Sequence, residues 1–151
     1  MRCNSSLLKL LAAVLFTVCA SAWAGDLKFE ALGPEHQGCG CSLVAGPVFS
    51  NADVVLFQDI DEDAPAIVRL QGKELSLKPV SGQQFGEWGS KVGDPVAASF
   101  SGQGYDLRFK GKVVKTCYEQ ESCEAVWYEG VLRANSATES GSMKVIGACG
   151  C

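Results

Sequence analysis

Two copies of the motif Cys-Gly-Cys limit what this chain can fold into more than any other feature. One copy is Cys39-Gly40-Cys41, and the other is Cys149-Gly150-Cys151. In an extended strand, residues two apart point to the same side, so each motif presents two sulfurs on one surface. Glycine between the cysteines permits the close approach that two neighbouring bridges need. We therefore predict that the two motifs form disulfides with each other and join distant segments, with the pairing among their four cysteines left open.

A second pair of cysteines predicts a local disulfide. Cys117 and Cys123 flank the polar segment Tyr-Glu-Gln-Glu-Ser, which is typical of a hairpin turn. An even number of cysteines in an exported chain indicates a disulfide framework. We therefore expect a bridge between Cys117 and Cys123.

The four motif sulfurs have an alternative use as metal ligands. Thiolates of Cys39, Cys41, Cys149 and Cys151 would suit Zn²⁺ or Cu⁺, and His36 stands three residues before the first motif. Exported compartments are oxidising, however, and Cys-x-x-Cys is the usual spacing in zinc sites. We expect disulfides and no cofactor, and we keep metal binding by these four cysteines as the alternative.

The first 24 residues have the layout of a secretory signal peptide. Arg2 and Lys9 precede or flank an apolar stretch at residues 10–18, and Ala22-Trp23-Ala24 fits a cleavage site. The stretch is far shorter than the roughly 20 apolar residues of a membrane-spanning helix. We expect cleavage near Ala24, location in the periplasm or secretion, and no stable membrane insertion.

The charge of the remaining 127 residues, 25–151, narrows the class of partner. They carry 11 basic and 17 acidic side chains, a net charge of −6, and the basic residues form no cluster. Nucleic acid is therefore not an expected partner, whereas a basic protein is electrostatically favoured. The length is that of one domain.

Glycines punctuate short runs of alternating or β-branched residues along the whole domain, which is typical of an all-β fold. The segments Gln71-Gly72-Lys73 and Lys110-Gly111 are predicted hairpin turns. We expect a small antiparallel β-barrel stapled by disulfides, with a β-sandwich as the alternative. The predicted strands are 41–45, 53–58, 66–70, 74–78, 95–100, 105–109, 112–118, 124–134 and 142–148.

Signals for catalysis are sparse. His36 is the only histidine, and no Gly-x-Ser-x-Gly motif accompanies it. Trp127 lies in a strongly β segment and is expected in the core, whereas Trp88 lies in a glycine-rich loop where an aromatic side chain can contact a partner. These features favour a binding protein over an enzyme.

Residues 66–85 carry a strand, a Gly-Lys turn, a second strand and then Ser81-Gly-Gln-Gln-Phe85. This segment resembles the central part of the MliC/PliC type of inhibitors of c-type lysozyme, with Phe85 in place of the family's tyrosine. The resemblance implies a small exported β-barrel in which the loop serine and a later lysine enter the lysozyme cleft. Ser81, Phe85, Trp88 and Lys91 are then the candidate partner-binding residues, and a basic lysozyme is the candidate partner.

Overall fold

A computed structural model describes residues 25–61, 63–81, 85, 90–117 and 124–151. The described chain is almost entirely β, with one turn of 3₁₀ helix at Asn51–Asp53. Within these ranges, no helix has the length and apolar character needed to cross a membrane. The strands are β1 (Gly25–Asp26), β2 (Phe29–Glu30), β3 (Gly40–Ala45), β4 (Val54–Asp59), β5 (Ala66–Leu70), β6 (Lys73–Pro79), β7 (Pro95–Gly102), β8 (Tyr105–Thr116), β9 (Ala125–Asn135) and β10 (Glu139–Gly150).

Strands β3 to β10 form a closed, eight-stranded, antiparallel barrel. Each strand pairs with the next along the chain, and the last strand returns to pair with the first. The closing pair runs from Val145 opposite Ala45 to Gly150 opposite Gly40. The predicted barrel is therefore confirmed, and the sandwich alternative is not observed.

The up-and-down order gives the barrel two distinct ends. The end at which β3 begins and β10 finishes also carries the β4–β5, β6–β7 and β8–β9 connections, and we call it the cysteine end. The opposite end carries the turns at residues 71–72 and 103–104 and the β3–β4 and β9–β10 connections.

Two tight hairpin turns at the opposite end follow from backbone sterics. Gln71 and Gly72 have φ of 50° and 76°, and Gln103 and Gly104 have φ of 52° and 84°. Positive φ at both central residues is the signature of the type I′ turn, whose twist matches that of the flanking strands. The turn predicted at Gln71-Gly72-Lys73 is thus confirmed.

The turn predicted at Lys110-Gly111 is wrong, because β8 runs through it without a break. Gly111 pairs with Val96 on one side and with Gly130 on the other. A side chain at Gly111 would collide with the carbonyl oxygen of Glu129 and with the Phe109 ring, so this glycine serves close strand packing rather than a turn.

Alternating side chains fill the barrel with a packed core. In β9, Val126, Tyr128, Leu132 and Ala134 point inward and are buried. Trp127 alternates with them and is only half-buried, with the Lys115 ammonium 4.4 Å from its ring centroid. The expectation that Trp127 belongs to the core is therefore wrong, because strand periodicity puts it on the outer face.

Residues 25–38, which we call the N-terminal strap, cross the opposite end of the barrel. β1 pairs with β10, Leu27 is buried with the barrel core, and β2 pairs with the end of β5. The strap then reaches the outer surface, where Leu32 packs with Val44, Val54 and Phe57 in a second, smaller cluster. One end of the barrel is thus closed by the chain that precedes it.

Two disulfides join the closing strands, Cys39–Cys151 and Cys41–Cys149. The predicted bridging between the two motifs is confirmed, and the antiparallel register decides the pairing because Cys41 lies directly opposite Cys149. Both glycines of the motifs are required: a side chain at Gly40 would meet the carbonyl oxygen of Gln58, and one at Gly150 would meet that of Glu124.

Losing one of the two bridges should cost much less stability than losing the remaining one afterwards. They close nearly the same loop, with sequence separations of 112 and 108. In the chain-entropy model, a first bridge over such a loop contributes about 4 to 5 kcal/mol, and a second one beside it closes a short ring worth about 2 kcal/mol. Removing either pair alone, by Cys39→Ala with Cys151→Ala or Cys41→Ala with Cys149→Ala, should therefore cost about 2 kcal/mol.

Removing all four cysteines should cost more than the sum of the two separate losses. Urea unfolding of the three variants and the intact protein measures the difference. If the losses in free energy of unfolding from the two single-bridge variants add up to the loss from the variant without both bridges, the two bridges do not restrict the same loop.

Candidate functional site

The β6–β7 connection at the cysteine end contains all four residues of the predicted partner-binding set. Ser81 and Lys91 are both exposed there, and Trp88 lies outside the described residues. The connection is fixed to the barrel where it leaves β6, since the N–H of Val80 donates to the carbonyl oxygen of Ser99 at 2.8 Å. Ser81 follows directly, so its backbone position is set by the sheet.

The second half of the connection ends in a hydrogen-bonded turn. The N–H of Lys91 donates to the Asp94 carboxylate at 2.8 Å, and the N–H of Asp94 donates to the carbonyl oxygen of Lys91 at 3.0 Å. Gly93, with φ of 97°, donates to the carbonyl oxygen of Val113. This turn ties Lys91 to the start of β7 and leaves its side chain in solvent.

Phe85 lies inside the barrel rather than on its surface. Its ring is 9% exposed and stands 5.4 to 6.1 Å from the ring centroids of Phe100, Phe109 and Tyr128. Such tilted ring pairs stabilise a core beyond simple burial. Phe85 is therefore a buried anchor within the connection, and among its described residues the predicted partner-binding side chains that a partner can reach are those of Ser81 and Lys91.

The four motif sulfurs, which were the alternative metal ligands, are all used in disulfides. Cys41 and Cys149 pack against the barrel core, while Cys39 and Cys151 are exposed at the cysteine end. A disulfide offers no thiolate, so the oxidised chain has no tetrathiolate site here. The bridges indicate folding in an oxidising compartment and hence an exported protein.

Cys117 also takes part in a disulfide. Its predicted partner, Cys123, lies outside the described residues. Thr116 and Val126 are opposite one another where β8 and β9 pair, and the N–H of Ala125 lies 3.3 Å from the Cys117 sulfur. β8 and β9 thus form a hairpin, as the spacing of the two cysteines predicts.

His36 lies in a turn of the N-terminal strap, against the outer face of the barrel. Its Nε2 is 3.1 Å from Oε1 of Glu74 on β6 and 3.7 Å from Oε1 of Glu35. The other oxygen of Glu74 accepts a hydrogen bond from Arg69 at 3.0 Å. Sequence reasoning missed this group because Glu74 is 38 residues from His36 and only the sheet brings them together.

An outer groove of about 730 Å³ runs beside the closing strands. Gly111 and Gly130 form part of its floor, where the absence of side chains lets β8 and β9 approach closely. Lys112 and Glu129 form an ion pair of 2.9 Å at its side, and Pro47 lies at its edge. The groove is separate from the β6–β7 connection, which contributes no residue to its lining.

Comparison of the chain with protein-family models, with curated proteins and with solved structures finds no match in any of the three.

Phe85 should be a stability residue, because its ring fills the barrel core. Phe85→Ala should lower the free energy of unfolding by about 3 to 5 kcal/mol, as expected for truncating a buried aromatic side chain. Val92→Ala in the same connection should change it by no more than about 0.5 kcal/mol, since Val92 is 65% exposed. Urea unfolding monitored by circular dichroism compares the two variants, and equal losses would contradict the placement of Phe85.

Proposed function

We propose that the domain is an exported, non-enzymatic binding protein that engages a partner protein with the β6–β7 connection at the cysteine end. The observation that carries the proposal is the way this connection is held. It is anchored at both ends by backbone hydrogen bonds and in the middle by Phe85, and it presents Ser81 and Lys91 to solvent. A loop fixed on a rigid scaffold binds with less loss of conformational entropy than a free one.

The packed interior supports recognition on the outside of the barrel. Small eight-stranded barrels have an interior that side chains can fill. Phe100, Phe109 and Tyr128 occupy the centre, with Leu27 arriving from one end and Phe85 from the other. A partner that contacts the loops needs no space within the barrel.

For the partner we propose a c-type lysozyme in the periplasm or outside the cell. The resemblance of residues 66–85 to the MliC/PliC inhibitors supports this choice, as does the net charge of −6. An acidic protein attracts a basic one over long range, which accelerates association at low ionic strength.

The alternative proposal, metal binding through the two Cys-Gly-Cys motifs, requires reduction of both bridges. A count of free thiols in the denatured protein, together with metal analysis of the same sample, separates the two. Protein purified after export with four free motif thiols and one equivalent of bound metal would favour the alternative over the binding module.

Inhibition of lysozyme by the exported, processed protein tests the proposal directly. We expect micromolar or lower concentrations to slow the lysis of cell walls by a c-type lysozyme, and the effect to weaken as salt is added, because added salt screens charge. Ser81→Ala and Lys91→Ala should each weaken inhibition by about tenfold, equivalent to about 1.4 kcal/mol of binding free energy.

Lys73→Ala is the matched control, since Lys73 is an exposed lysine in the β5–β6 hairpin at the opposite end. It should inhibit as well as the intact protein. No inhibition by the intact protein would exclude lysozyme as the partner. Inhibition that both loop variants retain would exclude the β6–β7 connection as the contact surface.

A further inference from the structure

Three metal-ligating side chains from two distant segments meet on the outer face of the barrel. They are Glu35 and His36 of the N-terminal strap and Glu74 of β6. One ligand atom from each, the His36 ring nitrogen and an oxygen of each carboxylate, all lie within 4.8 Å of one another. Among the described residues, this is the one group in which three such atoms come together.

The imidazole is held in position by its surroundings. The N–H of His36 donates to the carbonyl oxygen of Gly33, which closes a turn in the strap. The His36 side chain is 18% exposed, and its ring lies 6.4 Å from the Phe57 ring, centroid to centroid. Nε2 therefore faces the carboxylates without having to reorganise.

Arg69 holds the Glu74 carboxylate in the same way. Its guanidinium donates one hydrogen bond to Oε2 of Glu74 and another to the carbonyl oxygen of Ala31 in the strap. This leaves Oε1 of Glu74 directed at His36. Metal ligands are commonly oriented by such outer partners, which fix the carboxylate and the ring before the ion arrives.

The donor set identifies the class of ion. With a neutral imidazole, the two carboxylates and Arg69 leave the group with a net charge of −1, which favours a cation. One imidazole nitrogen and two carboxylate oxygens suit Zn²⁺, with water completing a tetrahedral site. Ca²⁺ and Mg²⁺ prefer oxygen ligands throughout, so the imidazole selects against them.

We propose that Glu35, His36 and Glu74 form a binding site for a divalent transition-metal ion, with Zn²⁺ as the ion to test. The site lies across the boundary between the strap and β6. Bound Zn²⁺ fastens the strap to the outer face of the barrel, and it stabilises the folded chain because the three ligands come together only in that state. This proposal does not depend on the identity of any protein partner.

Zinc titration of the untagged, disulfide-bonded protein tests the site. We expect binding of about one Zn²⁺ per chain by calorimetry. The imidazole resonances should shift in the NMR spectrum, and their assignment needs no comparison because the chain has a single histidine. The melting temperature should rise in Zn²⁺ relative to EDTA, and excess Mg²⁺ should not compete.

Three variants remove one ligand each, and a fourth is the control. His36→Ala, Glu35→Gln and Glu74→Gln should each weaken Zn²⁺ binding by more than about tenfold, since even outer partners of a site change affinity by that much. Glu35→Gln keeps the test sound if another variant fails to fold, because the Glu35 side chain is 60% exposed. Asp106→Asn replaces an exposed carboxylate on β8 and should bind like the intact protein.

Several outcomes would overturn the proposal. The intact protein failing to bind Zn²⁺ would do so. Binding that leaves the imidazole resonances in place, or that His36→Ala and Glu35→Gln both retain, would assign the ion to scattered surface carboxylates instead.

Discussion

The pairing of β3 with β10 is the constraint on which the rest of the structure depends. An up-and-down barrel is closed only when its last strand reaches its first, and here those strands are separated by most of the domain. Closing so long a loop costs conformational entropy, and this entropy is lost before the contacts between the two distant strands can form. The bridges Cys39–Cys151 and Cys41–Cys149 join the two strands covalently at that junction. The neighbouring strands can approach closely there because Gly40 and Gly150 carry no side chains.

Closure determines where the molecule can offer a binding surface. Every barrel strand is paired on both sides along at least part of its length, although β6 and β7 pair at only two positions, so the barrel offers a partner strand little free edge. The interior is filled by aromatic and aliphatic side chains, and Leu27 and Phe85 approach it from opposite ends. Recognition is left to the connections and to the outer face. The β6–β7 connection, anchored by Phe85, and the cluster around His36 are two places in the described part of the chain where polar groups are held in defined positions.

Local patterns in the sequence predicted the fold class well. Alternation of apolar and polar residues in the segments that became β5 and β6, together with the glycine at position 72, predicted a hairpin that the structure contains. The spacing of the Cys-Gly-Cys motifs predicted bridges between them, but the choice between two pairings needed the antiparallel register. The predicted turn at Lys110-Gly111 is wrong because a glycine can indicate either a turn or close packing between strands. Only the neighbouring strands distinguish the two cases.

The sites were harder to predict because they depend on contacts between distant segments. Phe85 reads as a loop aromatic in the sequence, yet it is a core residue, since a loop at the mouth of a small barrel can insert a side chain. Trp127 shows the reverse, an aromatic residue in a strand that faces outward. His36 and Glu74 meet only because the strap crosses the barrel and runs along its outer face beside β4 and β5, and no spacing in the sequence carries that information.

The covalent closure of the barrel can be measured by mass spectrometry of the exported protein, digested without reduction. We expect the peptide containing Cys39 and Cys41 to be covalently joined to the peptide containing Cys149 and Cys151. Partial reduction should assign the bridges Cys39–Cys151 and Cys41–Cys149. Full reduction should separate the two peptides. Bridges within each motif, Cys39 to Cys41 and Cys149 to Cys151, or four free thiols in the exported protein, would contradict it.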